Sequence, residues 1–256
     1  MSDGPLKVWV EREGRLLRLR LARPKANVLD GAMIAALDRA FAEHAASPAL
    51  AAVLVDHEGP NFSFGASVEE HLPERCAQML QSLHALLARM LDWPRPILFA
   101  VRGRCLGGGL ELVLAGHLAF VAPDAQLGQP ELKLGVFAPA ASVLLPLRIG
   151  QARAEDLLFS GRPIGAETAL DWGLAVALAE DPAQAALEYF DRHLASKSTS
   201  SLGYAVRAAR APFAELARLR LEEVEALYLE ELMRTRDALE GLQAFLEKRA
   251  PRFQNR

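Results

Sequence analysis

The chain opens on two stretches where apolar and polar residues alternate. Residues 6–12 and 16–21 each read as a strand. In the second, Leu17, Leu19 and Leu21 alternate with Arg18 and Arg20, the period-two signature of a half-buried strand. Together they predict a hairpin. Residues 27–30 read as a loop ending in an N-cap. A helix follows over about 31–46, with Met33, Ile34, Leu37, Ala40 and Phe41 on one face. A short apolar strand is expected at 52–55, a loop at 59–65, and an amphipathic helix over 74–92 that Pro94 and Pro96 stop. Residues 97–101 read as a second buried strand, 110–115 as a helix, and 118–121 as another strand. This rhythm predicts an α/β layered fold. From about Ala183 the pattern turns almost wholly helical and ends in helices over 214–234 and 238–249. The stripe Leu216, Leu219, Val224, Leu227 and Leu232 is only roughly periodic; it is expected to face a core or a neighbouring subunit.

Composition narrows the class. The 256 residues are 51% hydrophobic and 24% charged, which suits a globular protein and argues against disorder. With 29 Lys+Arg against 32 Asp+Glu, the chain lacks the basic footprint of a nucleic-acid partner. No apolar run reaches the roughly 18 residues of a membrane span, so no membrane partner is expected. The first 14 residues alternate charge with apolar residues and lack the apolar centre of a signal peptide. The two cysteines, Cys76 and Cys105, make neither a disulfide framework nor a zinc site. A reducing, cytoplasmic compartment is expected.

Three segments can carry chemistry. In Cys105-Leu-Gly-Gly-Gly-Leu-Glu-Leu112, three glycines follow a buried strand and precede a helix. Glycine permits close backbone approach, and a helix N-terminus offers free N–H groups. The pair could hold an anion or an oxyanion; a tight strand-to-helix turn explains the glycines equally well. The spacing fits neither the dinucleotide nor the phosphate-loop pattern. Glu111 follows the glycines among apolar neighbours, where burial is costly unless the carboxylate is paired or used. Glu131 lies 20 residues later in Gln126-Leu-Gly-Gln-Pro-Glu-Leu132. A helix plus a short strand would return it to the same face. Two carboxyls meeting in an apolar cleft would hold different protonation states, one fit to act as acid and one as base on water. By spacing alone Glu131 could equally be a surface residue. The third segment is the loop 61–70, turning at Gly65-Ala66, where a backbone N–H could supply a second donor beside the glycines. Histidines 44, 57, 71, 84, 117 and 193 show no metal-ligand spacing, and no metal is expected. His71 stands apart from the other five because it follows the Gly65-Ala66 loop.

At these segments the chain resembles the crotonase (enoyl-CoA hydratase/isomerase) superfamily over nearly its whole length. Arg23-Pro-Lys-Ala-Asn27 is similar to the family's early Arg-Pro-x-Ala-x-Asn turn, one residue shorter. Phe62-Ser-Phe-Gly-Ala66 resembles its Phe-x-x-Gly-Ala loop. Gly107-Gly-Gly-Leu-Glu111 and Leu127-Gly-Gln-Pro-Glu131 resemble its two central motifs, and Phe245-Leu-Glu-Lys-Arg249 its C-terminal signature.

The resemblance implies a crotonase-like α/β fold of repeated ββα units, with a core domain at 1–195 and a C-terminal helical segment at 196–256 for oligomerisation and active-site closure. It implies a homotrimer or hexamer, an acyl-CoA thioester substrate, and no cofactor beyond the coenzyme A of that substrate. The backbone N–H groups of Ala66 and Gly108 fall on the family's oxyanion hole, and Glu111 and Glu131 on its two hydratase glutamates. Lys25, Ala26, Gly65, Ser67, Val68, Gly107, Phe137, Phe245 and Lys248 fall where substrate and coenzyme A bind.

The departures bear on substrate. Ser67 stands where the family often has Asp, as does His117. After Gly135 the chain carries Val136-Phe-Ala-Pro-Ala-Ala-Ser142 in place of a glycine-rich run, which reshapes the acyl pocket away from a straight, flexible chain. A hydratase or isomerase of linear acyl-CoAs, and a non-catalytic binding protein on the same fold, stay open as alternatives.

Overall fold

A computed structural model describes residues 4–256. Residues 1–3, the head of the stretch read as lacking a signal peptide, lie outside the described residues. The strands are β1 (Leu6–Glu11), β2 (Leu16–Leu21), β3 (Ala52–His57), β4 (Ile97–Val101), β5 (Arg104–Leu106), β6 (Leu118–Val121), β7 (Gln126–Gly128), β8 (Pro163–Gly165) and β9 (Ala177–Leu178). A six-stranded sheet runs in the order β1-β2-β3-β4-β6-β9, and a three-stranded sheet in the order β5-β7-β8. β1 and β2 form the expected antiparallel hairpin; from β2 onward the large sheet is parallel. Parallel strands need crossovers, and helices supply them. They are α1 (Gly31–His44), α2 (Pro73–Leu91), α3 (Gly108–Ala115), α4 (Pro139–Ile149), α5 (Gln151–Ser160), α6 (Ala166–Asp171), α7 (Pro182–Tyr189), α8 (Thr199–Ala226) and α9 (Arg236–Leu246).

The helix α1 follows the sequence closely. Asp30 caps it by accepting from the Met33 N–H at 2.9 Å, and the five residues expected on its apolar face are the ones it buries. β2 departs from simple alternation. Arg18, expected on an open face, is only 4% exposed. Its guanidinium pairs with Asp56 of β3 and Glu11 of β1 and lies over the Trp9 ring; that pairing lets a charge sit inside the sheet.

The C-terminal third differs from its expected boundaries. One long helix, α8, begins at Thr199, well before residue 214, and runs through Pro212. Proline removes one helical hydrogen bond. The carbonyl left unpaired belongs to exposed Ala208, where water can serve it. α8 buries Gly203, Ala214, Ala217 and Leu221, whereas Leu216, Leu219 and Leu227 of the expected stripe are 41%, 57% and 45% exposed. A π-helical turn (Leu227–Glu231) and a 3₁₀ turn (Leu232–Arg234) lead into α9, which ends at Leu246, short of residue 249. Ala195 closes an earlier π-helical turn, Phe190–Leu194, a few residues before α8. Among the described residues no helix is long and apolar enough to cross a membrane.

α9 lies across the turn at 131–135. Gly241 permits this, because a Cβ there would collide with the Leu134 carbonyl and lie 3.0 Å from the Gly135 N. Gly241→Ala is therefore expected to destabilise the protein by about 1–3 kcal/mol. Thermal unfolding should show a midpoint roughly 2–4 °C lower per kcal/mol; an unchanged midpoint would show that α9 does not depend on this contact.

Candidate active site

Two turns without side chains meet near the start of α3. The first is the loop after β3. Gly65 lies at φ +98°, and the loop is tied to residue 29 by Leu29 N–H donating to Gly65 O (2.9 Å) and Ser67 N–H to Leu29 O (3.3 Å). The second is the β5–α3 junction at Gly107, φ +52°. A Cβ on Gly65 would lie 3.0 Å from Leu106 O and 3.3 Å from Gly108 N, and one on Gly108 would lie 3.3 Å from Ala66 N. The positive φ and the close carbonyl call for glycine at 65, and at 108 a side chain would have to push the Ala66 backbone back by a few tenths of an ångström.

Asn27 and Ser63 hold the loop in place. Asn27 is fully buried; its side chain donates to Glu58 O (3.0 Å) and Asn61 O (2.9 Å) and accepts from Arg23 N–H (2.9 Å). Ser63 donates to Asn27 O (2.8 Å) and accepts from Gly65 N–H (3.1 Å). The Ala66 and Gly108 amides thus lie side by side, and among the described residues neither donates to a protein acceptor. Paired free amides at a helix N-terminus can hold a negatively charged oxygen.

The two glutamates reach the same place. Glu111, one turn into α3, is 4% exposed, and its Oε1 accepts the Ala141 N–H of α4 at 2.8 Å. Burial raises its pKa above the usual carboxylate range; the Ala141 N–H, the His84 side chain and the Ala140 N–H oppose that shift. Glu131 arrives after two strands, β6 and β7, rather than one, and opens the 3₁₀ turn Glu131–Leu134. Its Oε1 lies where a Cβ on Gly107 would come within 2.6 Å, and its Oε2 is buried without a partner. Burial, then the charge of Glu111, push its pKa up to about 8. Two buried carboxyls facing one largely apolar cavity cannot both ionise easily, so the pair retains a proton at neutral pH. The Ala141 N–H favours the ion on Glu111; Oε2 of Glu131 meets no donor and suits the proton.

Both carboxyls line one cavity of about 840 Å³. Ala26, Gly65, Ala66, Ser67, Val68, Gly107, Gly108, Phe137 and Phe245 line it with them. Exposed Lys25 and Lys248 do not; they occupy left-handed turns at φ +89° and +55°, beside wall residues Ala26 and Phe245. The cations on the wall are Lys133 and Arg249. Sequence reasoning passed over both, although Arg249 closes the quoted C-terminal motif and Lys133 sits two residues after Glu131. His71 also lines the cavity, with Nδ1 2.7 Å from Ser67 O, and burial lowers its pKa. The stretch 136–139 forms one side, with Phe137 edge-on to buried Tyr228 at 5.3 Å between ring centroids.

Comparison with known proteins decides the family: the profile described as Enoyl-CoA hydratase/isomerase matches residues 11–256. The chain belongs to the enoyl-CoA hydratase/isomerase family. It is 63% identical over 255 residues to a cyclohexa-1,5-dienecarbonyl-CoA hydratase of Thauera aromatica, covering 100% of this chain and 99% of that protein. A probable enoyl-CoA hydratase of Bacillus subtilis (strain 168) is 33% identical, covering 92% of this chain and 93% of its own length. The fold matches the crystal structure of an enoyl-CoA hydratase from Bacillus halodurans with a TM-score of 0.87, at 20% identity, over 94% of this chain and 100% of that one.

The buried pair has a consequence for stability. In the unfolded chain Glu131 titrates near 4.3; in the folded family member it is held at about 8. A carboxyl raised on folding contributes stability that is full below the unfolded value and is lost as pH rises through the folded value. Glu131→Gln removes that loss. Its melting temperature should exceed the wild type's by at least about 2–4 °C near pH 8.5, the shift roughly one kcal/mol brings in a chain of this size. The difference should vanish near pH 4. Melting curves of both proteins across pH check this, and a constant offset would refute it.

Proposed function

We propose that the chain is a cyclohexa-1,5-diene-1-carbonyl-CoA hydratase, adding water 1,4 to give 6-hydroxycyclohex-1-ene-1-carbonyl-CoA in the anaerobic breakdown of benzoyl-CoA. The observation that carries the chemistry is the meeting of Glu111 and Glu131 in one cavity beside two free amides. The substrate is supported by the identity to the Thauera aromatica hydratase and by a wall of Val136, Phe137, Ala138 and Pro139, which suits a flat ring better than a flexible chain.

The ring carries C1=C2 and C5=C6 double bonds conjugated to the thioester. Glu111, ionised and steadied by the Ala141 N–H, takes a proton from water as its oxygen bonds to C2. The electron pair of C1=C2 moves toward the thioester oxygen, where the Ala66 and Gly108 N–H groups stabilise the charge; loss of one such donor typically costs about 3–4 kcal/mol. The enolate extends over C5=C6, so Glu131 can return a proton at C5, leaving the double bond between C1 and C6. Glu111 ends protonated and Glu131 ionised, and one proton shift restores both. Coenzyme A enters only as part of the substrate. Ala26 and Phe245 on the wall, with Lys25 and Lys248 next to them in the chain's turns, suit its nucleotide and pantetheine, together with Lys133 and Arg249 of the wall.

The reading includes a homotrimer or hexamer, supported by the exposed leucines of α8, and a cytoplasmic location, supported by two free buried cysteines.

Glu111→Gln and Glu131→Gln should each lower hydration by about 10²-fold or more while acyl-CoA binding, followed by calorimetry, survives. Retained turnover in both variants would refute the assignment. A panel of cyclic dienoyl-, cyclic monoenoyl- and crotonyl-CoA in ¹⁸O-water should show label entering product chiefly from the cyclic diene. Comparable turnover of crotonyl-CoA would make the enzyme a general hydratase. An unlabelled, shifted alkene would make it an isomerase, and no turnover of any thioester would leave a binding protein.

A further inference from the structure

α3 carries Gly108 at its first position and Glu111 at its fourth. Its far end is bound by two partly buried guanidinium groups. Arg148, from α4, donates through Nε and Nη2 to Leu114 O (3.1 and 2.8 Å) and through Nη2 to Gly116 O. Arg210, from α8, donates through Nη1 to Gly116 O (2.8 Å) and through Nη2 to Ala115 O (2.7 Å). Both pack on the Phe213 ring, at 5.3 and 4.4 Å from its centroid. Among the described residues neither forms a salt bridge.

Buried cations are normally paired with anions. Here the negative end of α3 stands in for the anion. Burial lowers Arg148 to about 10 and Arg210 to about 9, so both stay charged at neutral pH. His117 beside them, pushed down to about 3 by burial and by these two cations, adds no third charge. The same helix that supplies Arg148 also supplies the Ala141 N–H to Glu111, so α4 holds α3 near both ends.

We propose that Arg148 and Arg210 are positioning residues for the hydration step: they fix α3 along its axis and reverse the sign of its carbonyl end. This rests on Gly108 serving as an oxyanion donor. An uncovered carbonyl end would place about half a negative charge roughly 12 Å behind the Gly108 amide and oppose its pull on the thioester oxygen. Two guanidinium groups there turn that opposition into support, and the intervening interior screens weakly. They also set how far Gly108 and Glu111 project into the cavity, although neither arginine lines it.

The test compares Arg148→Met, Arg210→Met, Arg148→Lys and Arg210→Lys with the wild type. Three quantities are read: kcat against KM, the melting temperature, and the absorption red shift of bound cinnamoyl-CoA. The last reports polarisation of the thioester carbonyl whether or not the chain hydrates a diene. The Met variants should lose about 10- to 100-fold in kcat, with KM within about threefold and a smaller red shift. The Lys variants, which keep the charge and lose the fork, should recover most of the red shift and only part of kcat. Folded Met variants with wild-type kcat and red shift would overturn the proposal, as would activity that falls only with melting temperature while the red shift stays whole. If the Met variants do not fold, the Lys pair decides: wild-type values of kcat in both would overturn it. A wild type that shifts the probe's spectrum yet hydrates no diene would sink the functional reading and leave this inference standing.

Discussion

The candidate site depends on one close contact, the approach of the Gly65 turn to the glycines that open α3. Each of the three glycines leaves room for a different neighbour: a Cβ on Gly107 would stand 2.6 Å from Glu131 Oε1, one on Gly108 3.3 Å from Ala66 N, and one on Gly109 2.6 Å from the Ser63 Cβ. That contact places the Ala66 amide beside the Gly108 amide. Asn27 and Ser63, buried and fully engaged in hydrogen bonds, serve it from below. What reads as a motif in sequence is a steric requirement in space.

Around this contact the protein tolerates polar groups that an apolar core normally rejects. Glu111 is served by a backbone N–H, and Glu131 by a proton that its neighbour's charge helps to retain. The sheet applies the same rule elsewhere: Asp56, 2% exposed, sits between Arg18 and Arg20. α3 spans the distance from the arginine-bound carbonyls at Leu114–Gly116 to the Gly108 amide on the cavity wall.

Elements governed by local periodicity were legible. The hairpin, the Asp30-capped helix and the buried strands β4 and β6 stand where alternation, capping and apolar runs put them. The two glutamates and the glycine loop were also legible as candidates, because carboxylates among apolar residues and consecutive glycines are uncommon patterns. Other features depend on tertiary placement. The helix expected from residue 214 begins at Thr199 and runs through Pro212, because the exposed carbonyl that the proline leaves unpaired has water to turn to. Arg18 looked solvent-facing until Asp56 arrived from a strand far along the chain. Arg249 reaches the cavity wall because α9 folds back across the 131–135 turn, a return that the C-terminal motif signals and local periodicity does not.

That return orders events in time as well as space. Gly241, Leu242 and Phe245 roof a cavity whose carboxyls lie more than 100 residues earlier in the chain. During synthesis the acidic pair emerges first and the roof long afterwards. A nascent polypeptide interrupted before α9 therefore holds both carboxyls and lacks the part of the wall that Gly241, Leu242 and Phe245 supply, so the complete cavity forms late in translation.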